Sequence, residues 1–148
     1  MKILVINGAN INMIGIREPN IYGQENYQYL LQLIEETAKK EHLDIEVKQS
    51  NHEGELVDFI QQAYFDKVDA IVINPGAYTH TSIAILDALK ATNIPTVEVH
   101  ISDVSKREKF RQISYVSLYS EKTIMGKGLL GYIEAIKYLK EKYENKNK

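Results

Sequence analysis

Short β-rich runs alternate with amphipathic helical stretches along this chain, and that alternation limits its possible folds more than any other feature. Four runs bounded by Gly, Pro, Asn or Asp are predicted strands: residues 3–6, 45–49, 70–73 and 96–101. Between them, apolar residues at helical spacing predict helices over residues 27–41, 54–67 and 82–91. Because consecutive strands joined through helices pair in parallel, the sequence predicts an α/β fold with one doubly wound parallel sheet.

The last third of the chain is predicted to complete this sheet. Residues 115–119 are a candidate fifth strand, residues 124–131 a glycine-rich turn and residues 131–143 a terminal helix. A short helix is predicted to begin near Ser105, because its spacing to Glu108 fits a capping box. With 148 residues and no linker or repeat, the chain is expected to form a single domain, residues 1–148, that frays from about residue 144.

The composition excludes several classes of protein. The chain has no cysteine, so it has no disulfide framework, no thiolate nucleophile and no cysteine-ligated metal. Its formal net charge of −2 gives no indication of nucleic-acid binding. No apolar run approaches the roughly 18 residues of a membrane span, and the N-terminal run is too short for a signal peptide. We therefore expect a soluble, cytoplasmic protein without a nucleic-acid or membrane partner.

Unusual polar residues follow the predicted strands at their carboxyl ends. In a doubly wound sheet, ligands bind beyond these ends, near the point where the strand order reverses. Segments 7–23, 50–54 and 74–80 all lie there. The first is far longer than the roughly 2 to 6 residues that usually connect a strand to a helix, and it contains Arg17 and Tyr22. We interpret it as a functional loop.

Glu98 and His100 lie two residues apart in the fourth predicted strand. A strand repeats every two residues, so both side chains point to one face while Val97, Val99 and Ile101 point to the other. A carboxylate beside an imidazole fixes its tautomer and raises its pKa, as a general acid or base requires. The alternative is a polar pair on an exposed strand, but central parallel strands are usually covered on both sides. We therefore favour a catalytic role.

Only three of the eighteen basic residues are arginine: Arg17, Arg107 and Arg111. Arginine is suited to planar, two-point binding of a carboxylate. Arg107 and Arg111 are four residues apart, so in a helix they would share a face and form an anion clamp; a solvated helix face is the alternative. His80 precedes a predicted helix whose N-terminus favours anions, with Asp87 on the same face, although a surface histidine fits this position equally well.

Tyr22 and Arg17 suggest a second half of a proton-transfer site. A tyrosine with a pKa of about 10 is a poor base unless a cation stabilises its phenolate, and Arg17 supplies one. A tyrosine base on a loop, an acid on a strand and amides for a developing oxyanion suit removal of a proton beside a carbonyl. Metal and nucleotide sites have less support, since the sequence has no metal-ligand spacing and no Gly-x-Gly-x-x-Gly or Walker pattern.

Five segments resemble the type II 3-dehydroquinate dehydratases, in the order and spacing of that family. They are residues 7–23 (NGANINMIGIREPNIYG), 50–54 (SNHEG), 74–82 (NPGAYTHTS), 97–102 (VEVHIS) and 107–111 (REKFR). The resemblance covers nearly the whole chain. It implies a flavodoxin-like fold, with a five-stranded parallel sheet in three α/β/α layers. It also implies a lyase that dehydrates 3-dehydroquinate to 3-dehydroshikimate by anti elimination through an enolate, in the shikimate pathway of aromatic amino acid biosynthesis.

The resemblance also implies a role for each residue of the site. Tyr22 would accept the proton from C2 of the substrate, Arg17 would stabilise the transition state by lowering the pKa of Tyr22, and Asn10 would stabilise the enolate. His100, oriented by Glu98, would donate a proton to the departing C1 hydroxyl. The matching substrate-binding positions are Asn74, His80, Asp87, Ile101, Ser102, Arg107 and Arg111. The implied assembly is a homododecamer, a tetramer of trimers in which Asp87 comes from a neighbouring subunit, and no metal or cofactor takes part.

A non-catalytic flavodoxin-like module that binds a small anion is the alternative function. It would account for the fold and for an arginine clamp. It gives no reason for Tyr22, Arg17, Glu98 and His100 to occur together, so we favour the lyase. The sequence leaves open whether such an enzyme serves biosynthesis or quinate breakdown, because both use the same reaction.

Overall fold

The computed structural model of the chain describes residues 1–16 and 25–144. Within these residues, five strands alternate with four α-helices. The strands are β1 (Lys2–Asn7), β2 (Asp44–Gln49), β3 (Ala70–Asn74), β4 (Thr96–His100) and β5 (Lys122–Met125). The helices are α1 (Tyr27–Glu41), α2 (Glu53–Phe65), α3 (Ile83–Thr92) and α4 (Leu130–Tyr143). None of these helices has the length and apolarity needed to cross a bilayer.

All five strands are parallel, in the order β2-β1-β3-β4-β5. This is the strand order of flavodoxin-like sheets, so the predicted doubly wound parallel sheet is confirmed. The chain moves outward from β1 to β2 and then returns past β1 to β3. The order therefore reverses between β1 and β3, and the expected binding crevice lies at their carboxyl ends.

Helices cover both faces of the sheet, because alternate residues of each strand belong to different cores. On one face, Ile3 of β1 packs in a cluster with Leu30 of α1 and Tyr132 of α4. On the other, Leu4 of β1 packs in a cluster with Leu56 of α2 and residues of α3. The sequence-predicted α/β/α layering is therefore confirmed, and both sides of the central strands are closed to solvent.

The predicted fifth strand at residues 115–119 is wrong. Val116–Leu118 forms a 3₁₀ turn with Val116 fully buried, and the Tyr119 hydroxyl donates to the Ile94 carbonyl at 2.7 Å. One short turn thus buries an apolar residue and exposes its neighbours, which mimics strand alternation in sequence. The fifth strand is β5, where Ile124 and Met125 pair with β4. The first residues of the predicted glycine-rich turn therefore belong to the sheet.

The predicted helix near Ser105 is also wrong. The structure has two 3₁₀ turns, Val104–Lys106 and Lys109–Arg111, separated by Arg107 in an extended conformation. Asp103 caps the first turn by accepting from the backbone N–H of Ser105 at 3.1 Å, so the predicted capping box does not form. A short acidic side chain that bonds the nearby backbone competes with a continuous helix. Consequently Arg107 and Arg111 do not share the face of one helix.

Candidate active site

Backbone contact between the loops after β1 and β3 forms the floor of the crevice. The N–H of Gly8 donates to the Asn74 carbonyl at 2.8 Å. A Cβ atom on Gly8 would lie 2.1 Å from the carbonyl oxygen of Pro75, well inside van der Waals contact. Only glycine allows the two main chains to approach this closely. The sequence therefore brings Asn7 and Asn74, the last residues of the two strands, into one buried site.

Tyr132 joins these two asparagines from below. Its fully buried hydroxyl donates to Asn7 Oδ1 at 2.7 Å and accepts from Asn74 Nδ2 at 2.8 Å. Burial raises the pKa of this phenol, so it remains a protonated donor. The side-chain oxygen of Asn74, Oδ1, accepts from the Gly76 N–H at 3.1 Å, which fixes the orientation of the amide. Sequence reasoning missed Tyr132. The one indication of its role is that a tyrosine, with a polar hydroxyl, occupies a position of α4 that is otherwise apolar.

Asn51 connects the loops that follow β1, β2 and β3. Its side-chain oxygen accepts from the backbone N–H of Asn10 at 3.0 Å and from Gln49 Nε2 at 3.1 Å. Its carbonyl accepts from the Tyr78 hydroxyl at 2.7 Å. These bonds hold Asn10 in a left-handed conformation, with φ of 70°, at the start of the first loop. Asn51 lies in the second motif segment, but nothing in its sequence position indicated this role.

Arg17 and Tyr22 lie outside the described residues, so their predicted roles stay predictions. The described residues on either side are close together. A Cβ on Gly15, which has φ of +81°, would lie 2.8 Å from the Glu25 carbonyl oxygen. The described residues before and after residues 17–24 therefore lie next to each other.

Glu98 and His100 are in contact, as their spacing in a strand predicts. Every residue of β4 is buried, and His100 Nε2 lies in hydrogen-bond contact with Glu98 Oε2. Burial alone would raise the pKa of the Glu98 carboxyl, but hydrogen bonds from His100, Ser114 and Thr79, together with the imidazolium charge, hold that pKa below its usual value. Glu98 is thus an anion without a proton to donate, so the Nε2 atom of His100 must carry the hydrogen. The second ring nitrogen, Nδ1, is left for another partner.

Most of the predicted substrate-binding residues follow the carboxyl ends of β3 and β4. Asn74 ends β3, and the 3₁₀ turn Gly76–His80 places the half-buried His80 next to the segment after β4. His80 Nδ1 bonds the Ile113 carbonyl at 2.7 Å, which leaves Nε2 for another partner. The residues that follow β4 are Ile101, Ser102, Arg107 and Arg111.

Arg111 and Asp87 differ from the other predicted binding residues in their surroundings. Arg111 lies 2.8 Å from the carboxylate of Glu108, so it already has an anionic partner within its own turn. Asp87 is exposed on α3, on the same helix face as the exposed Ile83 and away from the strand ends. Within one copy of the chain, Asp87 therefore does not join the crevice.

The described crevice combines an anionic carboxylate, an imidazole and several amides, which suits proton transfer near a developing oxyanion. Residues 1–16 and 25–144 contain no group of three or more side chains arranged to hold a metal ion.

Comparison with known proteins adds a family to this geometry. The family model described as "Dehydroquinase class II" matches residues 1–140. The chain is 60% identical over 136 residues to the 3-dehydroquinate dehydratase of Lachnoclostridium phytofermentans, covering 92% of this chain and 94% of that protein. It is 54% identical over 140 residues to the enzyme of the same name from Caldicellulosiruptor bescii, covering 95% and 97%. The crystal structure of type II dehydroquinase from Butyrivibrio crossotus superposes with a TM-score of 0.90 at 56% identity, over 94% of this chain and 97% of that one.

Proposed function

The chain belongs to the dehydroquinase class II family, and we propose that Glu98 and His100 form the general-acid pair with which it dehydrates 3-dehydroquinate in the shikimate pathway. The observation that carries this assignment is the contact of His100 Nε2 with the buried carboxyl of Glu98, whose pKa is lowered, since this contact leaves Nδ1 for the substrate. The protonated imidazole gives its Nδ1 proton to the departing C1 hydroxyl, which leaves as water. The pathway role makes the cytoplasm the location that we propose for the enzyme.

The other half of the reaction removes the proton at C2 of the substrate. Tyr22, as a phenolate stabilised by Arg17, accepts that proton and generates an enolate at the adjacent carbonyl. Asn10, in its left-handed turn at the mouth of the crevice, stabilises the enolate oxygen. When the enolate collapses, the C1 hydroxyl leaves from the side of the ring opposite to the proton that Tyr22 removed. It takes a proton from His100 and departs as water. The products are 3-dehydroshikimate and water, and each transferred proton has one donor and one acceptor.

The substrate carries a carboxylate and several hydroxyl groups, and the remaining residues match those groups. Arg111 and Arg107 provide guanidinium donors, and His80 provides its Nε2 atom, which has no hydrogen-bond partner among the described residues. Ser102 and the backbone of Ile101, directly after β4, lie beside His100 and supply short polar contacts. Asn74, held by Tyr132 and Gly76, presents a fixed amide at the end of β3.

Asp87 reaches a substrate only if another copy of the chain binds beside it. Exposed apolar side chains occur on α3 and on the segment next to it: Ile83, Phe110, Ile113 and Leu118 are between 54% and 71% exposed. We propose that this surface is covered in a homododecamer built from trimers, in which Asp87 approaches the crevice of a neighbour. Light scattering after size exclusion should give twelve chains. An active monomer would contradict the assembly, and an Asp87→Asn variant with an unchanged KM would contradict the contact.

A dehydratase assay tests the function. The purified protein should convert 3-dehydroquinate to a conjugated enone, followed as rising ultraviolet absorbance. His100→Asn should lower kcat by about 10² to 10⁴, the usual worth of a general acid. The matched control is His42→Asn, because His42 lies at the opposite end of the fold in a left-handed C-cap that asparagine tolerates. Equal activity of the two variants would contradict the assignment of His100.

The base is tested separately. Tyr22→Phe should abolish turnover while binding of the substrate is largely retained, since only the phenolate is removed. Tyr29→Phe is the control, because Tyr29 is an exposed tyrosine on α1. Near-normal turnover of Tyr22→Phe would exclude Tyr22 as the base, and binding without turnover by the unmodified protein would favour the anion-binding module instead.

A further inference from the structure

Two hydroxyl groups lie against the same carboxylate oxygen that His100 contacts. Thr79 Oγ1 is 3.0 Å from Glu98 Oε2, and Ser114 Oγ is 2.7 Å from it. We propose that Thr79 and Ser114 are positioning residues for the acid pair, which keep Glu98 ionised and oriented so that His100 retains the proton for the leaving hydroxyl. The functional part of this inference rests on the proposed role of His100.

The number of protons determines what these contacts stabilise. The two hydroxyls are also 2.6 Å from each other, and together they have only two protons for three contacts. When Glu98 is ionised, its Oε2 atom can accept from His100 and from Ser114. Thr79 can then donate either to Oε2 or to Ser114 Oγ. A protonated Oε2 would itself be a donor facing the Nε2–H of His100, so two donors would meet at that contact and the ring would lose its acceptor. The site is therefore matched to the anion.

Backbone contacts hold the hydroxyl of Ser114 in this orientation. The N–H of Ser117 donates to Ser114 Oγ at 3.2 Å, so the lone pairs of the hydroxyl face the turn and its proton faces Glu98. The N–H of Tyr115 donates to the Thr79 carbonyl at 2.8 Å, which places the two hydroxyls side by side. Segments that are far apart in sequence thus close around one carboxylate.

Within residues 1–16 and 25–144, His100 is the only charged side chain in hydrogen-bond contact with Glu98, so no second cation explains why Glu98 stays ionised. Beside Glu98, strand β3 presents Ile73 and strand β5 presents Thr123, whose hydroxyl is 3.4 Å from Oε1. The nearby His80 bonds the Ile113 carbonyl, and the Tyr119 hydroxyl bonds the Ile94 carbonyl.

Helix α3 places its titratable side chains, Asp87 and Lys90, at exposed positions. In the described part of the chain, His100 is the one titratable group in hydrogen-bond contact with Glu98. Among uncharged groups, the hydroxyls of Thr79 and Ser114 therefore contribute most to keeping Glu98 ionised.

The direct test is a ¹³C NMR titration of the Glu98 carboxyl carbon in the full-length protein, assigned with Glu98→Gln. Ser114→Ala and Thr79→Val should each move the titration to higher pH by about one unit, a tenfold change in proton affinity for the loss of one hydrogen bond to a charged group. The same variants should lower kcat about tenfold with KM unchanged. Thr79→Ser keeps the hydroxyl, so its Glu98 titration and its kcat should equal those of the unmodified protein. This variant separates loss of the hydrogen bond from loss of packing.

Ser120→Ala is the matched control, because its hydroxyl lies in the same segment and has no hydrogen-bond partner among the described residues. Its titration should equal that of the unmodified protein. The proposal is overturned if the Ser114→Ala, Thr79→Val double variant titrates as the unmodified protein does. A shifted titration combined with a fully active His100→Asn variant would refute the acid role of His100, but not the effect of the hydroxyls on Glu98.

Discussion

Tyr132→Phe removes one oxygen atom from the buried link between Asn7 and Asn74. The ring still fills its place in the core, so the change isolates two hydrogen bonds of 2.7 and 2.8 Å. Each bond contributes about 0.5–1.5 kcal/mol, and a buried partner left without one costs about 1–3 kcal/mol. Because both asparagines are almost completely buried, water cannot replace the hydroxyl. We expect a loss of about 2–4 kcal/mol in the free energy of unfolding.

Urea unfolding at one fixed protein concentration measures this loss, since self-association adds concentration-dependent stability. With a slope of about 2 kcal/mol per molar urea, the middle of the usual range, the midpoint should fall by about 1–2 M while the slope stays constant. Tyr138→Phe is the control on the same helix, because its hydroxyl bonds Glu121 at the surface and its loss should cost less than about 0.5 kcal/mol. The KM should also rise in Tyr132→Phe, as Asn74 loses its fixed orientation. Equal midpoints for the two variants would refute this account of the buried link.

Three further predictions follow from the site. Gly8→Ala should destabilise the protein by about 1–3 kcal/mol in urea, because its Cβ meets the main chain of Pro75, whereas Gly54→Ala has open space and should be neutral or stabilising. The pKa of Glu98 is depressed in the folded protein, so its ionisation stabilises the fold above the usual value of about 4.5, and this contribution is lost as the pH falls through the lower folded value. When the free energy of unfolding is measured against pH, it should therefore decrease less toward acid pH in Glu98→Gln than in the unmodified protein. Dialysis against EDTA should leave kcat unchanged in the absorbance assay, because every proton transfer is assigned to a side chain; loss of activity that added metal restores would contradict this.

Local sequence patterns were sufficient for the regular elements of the core. The helix predicted at residues 27–41 has those bounds in the structure, and Asn26 caps it by accepting from the Tyr29 N–H. The first four strands were located to within one residue at each end, because buried β-branched runs between turn residues are unambiguous. The period of two along β4 was likewise enough to place Glu98 beside His100.

The same local reasoning failed where the stabilising partner is distant in sequence. Strand β5 has only four residues, and what makes it a strand is its pairing with β4 at the edge of the sheet. Residues 115–119 have a stronger strand pattern, yet burial of Val116 beneath α3 makes them a turn. Pairing and burial of this kind are tertiary effects, which override weak local preferences.

The sequence by itself determined the first four strands of the sheet, the layers around it and the contact between Glu98 and His100, because each depends on the spacing of neighbouring residues. The tertiary structure alone decided which polar groups support that pair. Thr79 and Ser114 reach Glu98 across 19 and 16 residues, and Tyr132 reaches Asn7 across 125. A hydroxyl has no pattern of its own in sequence, and its effect depends on which buried partner the fold places within hydrogen-bond distance.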